Sequence, residues 1–246
     1  MNSRLAKQIF YAAGYLSALF LAVFIIYLIW FKSAATCFDN RRNQNETGVD
    51  CGGQCPACEI KTLILPEVSW LKYFPADNQI IVAAEIKNSN LNYAADFFSY
   101  TVDVYDNGGV KIKSLTKNSF IYAGEIKYLV EPVEIDSKKI KEVKISFSNI
   151  NWKLNEEFKK PTTQLREIKT ESTVVSGFLT NNNAFRLSKI RIFGFLYNQY
   201  GILIGASKTE LENVSAFEEK FFKINFPKNL SDINPNKTKV YAEAIR

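Results

Sequence analysis

Two stretches decide the fold: residues 97–109, FFSYTVDVYDNGG, and residues 189–201, KIRIFGFLYNQYG. In the first, Phe98, Tyr100, Val102 and Val104 alternate with polar neighbours, the period of a strand with one buried face. Asn107, Gly108 and Gly109 then supply a tight turn, because Asn and Gly tolerate positive φ. In the second, Ile190, Ile192, Gly194 and Leu196 stand 92 residues after their counterparts, and Gly201 takes the place of Gly109. The correspondence continues outward. Val82, Ala84 and Ile86 before Asn88 match Val175, Gly177 and Leu179 before Asn181; Glu125, Lys127 and Tyr128 match Glu218, Lys220 and Phe221 at an offset of 93. A repeated spacing of this kind marks a duplicated unit. No run of alternating strands and helices is present, so opposed sheets are the expected means of burying the apolar faces. The expected fold is mainly β, with two tandem immunoglobulin-like β-sandwich domains over 61–158 and 163–246. The charged, Pro161-containing stretch at 156–163 separates them.

Before the repeats, residues 9–31 (IFYAAGYLSALFLAVFIIYLIWF) run without a charge. At about 1.5 Å per helical residue such a run spans roughly 34 Å, enough for a hydrocarbon core of about 30 Å. Only a helix crosses alone, since every backbone polar group must find its partner within the segment. Tyr11, Tyr27 and Trp30 lie toward the ends, where amphipathic rings favour the interface. Arg4 and Lys7 precede the run and Lys32 alone follows it before Asp39. Positive-inside asymmetry therefore predicts residues 1–8 in the cytoplasm, a single-pass signal anchor in the cell membrane and extracytoplasmic C-terminal domains. Cleavage after Ser33, Ala34 and Ala35 is the competing reading, which the length of the run disfavours. Gly14, Ala18 and Ala22 recur every four residues and would allow close approach of another membrane helix, hence self-association.

All four cysteines, Cys37, Cys51, Cys55 and Cys58, fall in residues 32–60. In an exported chain they are expected to form two disulfides that staple a neck too polar to build its own core. Three pairings are open. Asp39, Asn43, Asn45, Glu46 and Asp50 supply hard oxygen donors for a calcium ion, although their spacing is not that of an EF-hand; the competing reading is local turns. No other cofactor is expected. Cys37, Asp39, Asn40, Glu46, Thr47, Gly48, Asp50, Cys51, Gly52, Gly53, Cys55 and Cys58 together resemble a cysteine-rich element of exported proteins, with E-T-G-x-D-C-G-G-x-C-x-x-C at its heart. Arg41 stands where that element commonly has glycine. The resemblance implies a spacer and no catalytic activity.

The strand ends Val104, Tyr105, Asp106 and Leu196, Tyr197, Asn198, each preceded by an N-x-S/N element (Asn88 and Asn90, Asn181 and Asn183), resemble the FxLYD family of extracytoplasmic β-sandwich domains. That resemblance implies envelope attachment, assembly or ligand recognition. The chain contains no histidine, which removes His-based triads, His metal sites and histidine general bases. Phosphate-cradling and dinucleotide-binding glycine motifs are absent. All 25 acidic residues follow the apolar run, and the net charge of +6 is spread too thinly to point to nucleic acid. Asp103, Asp106, Glu125 and Glu131 are the carboxylates to watch on the first domain, and Trp70, Tyr73, Phe74, Phe97, Phe98 and Tyr100 are either core or a contact patch. The expected function is a noncatalytic, membrane-anchored envelope scaffold that binds another surface protein. The alternative is an accessory enzyme or glycan-binding protein acting on a cell-surface polymer.

Overall fold

A computed structural model of the chain describes residues 3–30, 35–228 and 230–245. Phe31, Lys32, Ser33 and Ala34, which figure in the expectations for the membrane span and its cleavage, lie outside the described residues. The chain divides into two compact units, residues 1–63 and 64–246.

In the first unit, helix α1 (Ser3–Trp30) contains one span long and apolar enough to cross a bilayer, Arg4–Leu28. None of that span is buried within the protein. Gly14, Ala18 and Ala22 are all exposed, and a Cβ added at Gly14 would meet nothing within 4 Å. The neck that follows has little regular structure beyond a short 3-10 turn, Cys58–Thr62, and an isolated bridge between Gly48 and Cys51. Its burial is concentrated on Glu46, Cys51 and Cys55.

The described residues of the second unit form twelve strands in two copies of one plan. Strands β1 (Glu67–Ala76), β2 (Gln79–Lys87), β3 (Tyr93–Asp106), β4 (Lys111–Ile121), β5 (Ile126–Glu134) and β6 (Ile140–Leu154) form the sheets β1-β2-β5 and β4-β3-β6. Strands β7 (Thr163–Glu171), β8 (Val174–Asn181), β9 (Leu187–Tyr197), β10 (Leu203–Val214), β11 (Glu219–Asn225) and β12 (Lys239–Ile245) form β7-β8-β11 and β10-β9-β12. Strand for strand the two orders are the same, so the 92-residue offset in the sequence is a repeat of topology. All pairings are antiparallel. Each copy is a sandwich of three strands on three.

The alternation places the side chains as expected from period two. Ile80, Val82 and Ile86 of β2 face Phe98, Tyr100, Val102 and Val104 of β3 inside the first sandwich. Val175 and Leu179 of β8 with Phe222 and Ile224 of β11 face Ile190, Ile192 and Leu196 inside the second. The turns repeat as well. Gly109 and Gly201 share φ +78°, and the side chains of Asp106 and Asn198 each accept two backbone N–H bonds across the same loop. The paired asparagines tie the entry of each sandwich. Asn88 Nδ2 donates to the carbonyls of Tyr93 and Tyr122, and Asn181 Nδ2 to those of Phe185, Val214 and Ser215. Asn90 clamps both the N–H and the carbonyl of Ile64, as Asn183 clamps those of Thr162. Both Asn88 and Asn181 are wholly buried, and these bonds satisfy polar atoms that would otherwise be costly to leave unpaired.

The two sandwiches are not beads on a flexible string. A third buried cluster lies between the outer face of β1-β2-β5 and the outer face of β10-β9-β12, and it includes Ala83, Val130, Phe193, Phe195 and Ala206. The stretch at 156–163 is packed too: Phe158 stacks on Tyr122 with ring centroids 4.8 Å apart, and Lys160 lies 2.6 Å from Glu125. The order of layers is therefore β4-β3-β6, β1-β2-β5, β10-β9-β12, β7-β8-β11. The contact joins non-equivalent faces of the repeat, and the residues differ accordingly. Phe193 and Phe195 of the covered face correspond at the 92-residue offset to Thr101 and Asp103. On the outer face of the first sandwich Thr101 bonds Thr116 and Asp103 accepts from Ser114.

Phe195 is fully buried and meets Trp70, Tyr128 and Tyr241 at ring-centroid distances of 5.9, 5.0 and 5.9 Å. Phe195→Ala is expected to cost about 3 to 5 kcal/mol. In urea denaturation of the full chain followed by tryptophan fluorescence, one cooperative transition of the β unit should split into two as the sandwiches uncouple.

Candidate functional site

Polar groups concentrate around the aromatic layer between the sandwiches. Strand β5 touches β10 through Glu131 and β12 through Lys127; since β9 lies between those two strands, β5 passes across the sheet. Aromatic side chains occupy the middle of the contact. Tyr128 stacks on Tyr241 with centroids 4.2 Å apart, and Trp70 stands edge-on to Phe195. Burial pushes the Tyr128 hydroxyl above its ordinary range, with Tyr241 and Glu85 adding to the effect.

Glu131 forms one ionic node. Its Oε1 accepts from the Tyr100 hydroxyl at 2.9 Å and from Lys208 Nζ at 2.8 Å, and its Oε2 from Lys117 Nζ at 2.5 Å. Three strands, β3, β4 and β10, thus converge on one carboxylate of β5. Burial alone would raise the Glu131 pKa, but Lys208 and Lys117 outweigh it and hold the carboxyl below its ordinary value of 4.5. The same burial, reinforced by the Glu131 charge, raises the Tyr100 hydroxyl.

The second node is Lys127 with Glu243. The two form an ion pair with side chains 1% and 7% exposed, and Lys127 Nζ sits 4.2 Å above the Phe120 ring. Arg191 Nη1 approaches the same carboxylate at 3.7 Å. Burial drives the Lys127 pKa down against the opposing pull of Glu243. Beside this pair the Tyr122 hydroxyl donates to the carbonyl of Ala244, another bond between the sandwiches.

The carboxylates singled out on the first domain serve separate local tasks. Asp106 holds its turn, Asp103 binds Ser114 and Lys111, Glu125 accepts the Tyr122 N–H and pairs with Lys160, and Glu131 is the node above. The aromatic residues divide likewise. Phe98 and Tyr100 are buried, Tyr73 packs against the first core, and Trp70 and Phe74 belong to the layer between sandwiches; Phe97 remains 40% exposed. The role of Lys127 and Glu243 was missed from sequence. The available signal was the near-continuous apolar run at 192–196, which reads as a strand buried on both faces.

The neck resolves the open pairing as Cys37 with Cys55 and Cys51 with Cys58. Of the oxygen donors considered for calcium, Glu46 lies beside the Cys37–Cys55 bridge. Asp50 accepts from the N–H groups of Asp39 and Asn40, and Asp39 accepts from the N–H of Arg41 and the side chain of Asn43. Glu46 Oε2 accepts from the N–H groups of Asn43 and Asp50. Asn45 takes a left-handed turn at φ 60°. The hydrogen bond from Asn43, with those from the backbone, holds the half-buried Asp39 carboxyl below its ordinary range. These carboxylates are thus engaged with the loop that carries them, the arrangement of local turns. The sulfurs of Cys37 and Cys55 and a Glu46 oxygen lie within 4.8 Å of one another, a set able to hold a metal ion once the sulfurs are thiolates. In the disulfide those sulfurs are spent, and Glu46 Oε1 abuts Cys55 Sγ at 3.1 Å.

Glu131→Gln is expected to remove about 1 to 3 kcal/mol at neutral pH by weakening the node. Because the folded pKa is depressed, the stabilisation is present above 4.5 and is lost as pH falls through the folded value. Urea denaturation of the full chain as a function of pH should therefore show a shallower loss of stability on acidification in the variant. In the neck, Gly52 sits at φ +78° with any Cβ only 1.9 Å from Thr47 Oγ1. Gly52→Ala should disturb the loop between Cys51 and Cys55, and nonreducing peptide mapping should find scrambled or free cysteines in place of the two native bridges.

No family model matches the chain, and no curated protein matches it. Among solved structures, the crystal structure of red sea bream transglutaminase aligns with 72% of this chain and 31% of its own, at 12% identity and a TM-score of 0.23, too low to carry an argument. The resemblance to FxLYD domains thus has no family match behind it. What stands is a disulfide-rich segment followed by tandem sandwich-type modules of a general β architecture.

Proposed function

We propose that this chain is a noncatalytic scaffold of the cell envelope, held in the membrane by α1 with its β unit outside, and that it binds another surface protein. The observation that carries the proposal is the buried contact between the sandwiches, which makes one stiff body of two repeats. Flexible tandem domains can close around a substrate; a stack whose inner faces are filled by aromatic rings and ion pairs instead keeps its remaining surfaces at fixed spacing. The α1 span suits retention in a bilayer, and two disulfides suit an oxidising compartment.

Partner binding is supported by the outer face of β7-β8-β11. Phe221 packs edge-on to Phe178 at 5.5 Å and is 56% exposed, while its repeat counterpart Tyr128 is covered by the second sandwich. An exposed aromatic at a position covered in the sister copy suits a protein contact.

Chemical crosslinking of the full chain in intact cells tests this reading. A recurring envelope protein should be recovered with the wild type and reduced at least several-fold with Phe221→Ser. Labelling that places the β unit in the cytosol, or turnover of a surface polymer by the purified chain, would overturn the proposal.

A further inference from the structure

The Lys127 and Glu243 pair is under-supplied as a buried ion pair. An ammonium carries three N–H donors and a carboxylate has several acceptor sites. Among the described residues Nζ of Lys127 and both carboxylate oxygens of Glu243 find no regular hydrogen-bond partner beyond their mutual contact. The Phe120 ring covers one side of the ammonium, and Arg191 stands off at 3.7 Å. Desolvating two charges with so few bonds in return is costly.

Comparison of the repeats shows that this arrangement is peculiar to the junction. Lys220, the counterpart of Lys127, donates to the carbonyls of Glu212 and Asn213 at 3.0 and 3.1 Å, an ordinary capping role at the strand end. Lys127 has left that role and points at the other sandwich. Arg191 and Glu243 are cross-strand partners on β9 and β12, and the corresponding register pair on β3 and β6 is Ser99 with Ser148. Among the described residues, Lys127, Arg191 and Glu243 are therefore brought together by the meeting of the two copies, and their repeat counterparts form no such group.

We propose that Lys127 and Glu243 condense into an intramolecular isopeptide bond, Nζ to Cδ, which joins the two sandwiches covalently. The step balances without an added reagent. In the water-poor site the ammonium passes a proton to the carboxylate, leaving a neutral amine and a carboxylic acid. The nitrogen lone pair attacks Cδ, and the oxyanion of the tetrahedral adduct forms beside Arg191. The C–O bond to the hydroxyl then breaks, and that hydroxyl leaves with a proton from nitrogen as one water. The net change is ammonium plus carboxylate to amide plus water. Depression of the Lys127 pKa by burial favours the nucleophilic form. The product carries no charge, so the reaction also removes the desolvation cost that the pair imposes.

The test is mass spectrometry of the full chain, purified in detergent and reduced to open the disulfides. The wild type should be lighter than Lys127→Arg by one water in addition to the difference between the two side chains. Digestion should yield a branched peptide joining β5 to β12 through Lys127 and Glu243. Glu243→Ala should give linear peptides only. Recovery of unmodified Lys127 and Glu243 peptides from the folded wild type would overturn the proposal, as would loss of water mapped to any other pair. Because the decisive measurement is made on the wild type, a variant that fails to fold does not obscure the answer.

Discussion

The structure depends on desolvation of one contact, the meeting of the β1-β2-β5 face with the β10-β9-β12 face. A three-on-three sandwich has a thin core, and each sheet left bare on its outer side would have to be polar. Here two of the four sheets are covered on both sides, so Ala83 and Phe195 are as deeply buried as the residues of the individual cores. The ionic nodes follow from the same contact. Glu131 is tolerated because Tyr100, Lys117 and Lys208 surround it, whereas Lys127 and Glu243 have each other, a ring face and a distant guanidinium. The difference between a satisfied and an unsatisfied buried charge separates structural polarity from a place where chemistry is favoured.

Much of the strand plan was legible because period-two alternation reports a face buried against a partner sheet, and the partner need not be known. Phe98, Tyr100, Val102 and Val104 declare their core by that rule, and the Asn-Gly-Gly turn declares where the strand ends. The repeat offset then carries the reading to the second copy. What alternation cannot report is a strand buried on both sides. At 192–196 both parities are apolar, and treating only Ile192, Gly194 and Leu196 as inward left Phe193 and Phe195 without a role. The polar partners were harder still. Lys127 and Glu243 are 116 residues apart and belong to different copies, so no local spacing links them.

In the neck, composition pointed to disulfides and to oxygen donors, and both are there. The pairing was not legible, since spacing alone permits three. The fate of Asp39, Asp50 and Glu46 depended on backbone turned back on itself: left-handed residues at Asn40, Gln44, Asn45 and Asp50 bring N–H groups onto the carboxylates. A carboxylate rich in acceptors can serve a loop and an ion alike, and the path of the chain shows the first of these roles. The N-x-N pairs teach a related lesson. Asn88 with Asn90 and Asn181 with Asn183 look like surface residues in the sequence, yet they are knots of hydrogen bonds that fasten the incoming chain to each sandwich.

The junction joins unlike faces, and stacking of that kind has no symmetry to bring it to a close. In principle a third, fourth or fifth repeat, or another copy of the protein, could be laid on either end to build a rod. Threonine, serine and aspartate on the far side of β4-β3-β6 refuse such an addition, since covering Thr101 and Asp103 with an aromatic sheet would strip them of water for nothing in return. Covering that side would therefore cost free energy, where covering the aromatic face of β10-β9-β12 releases it.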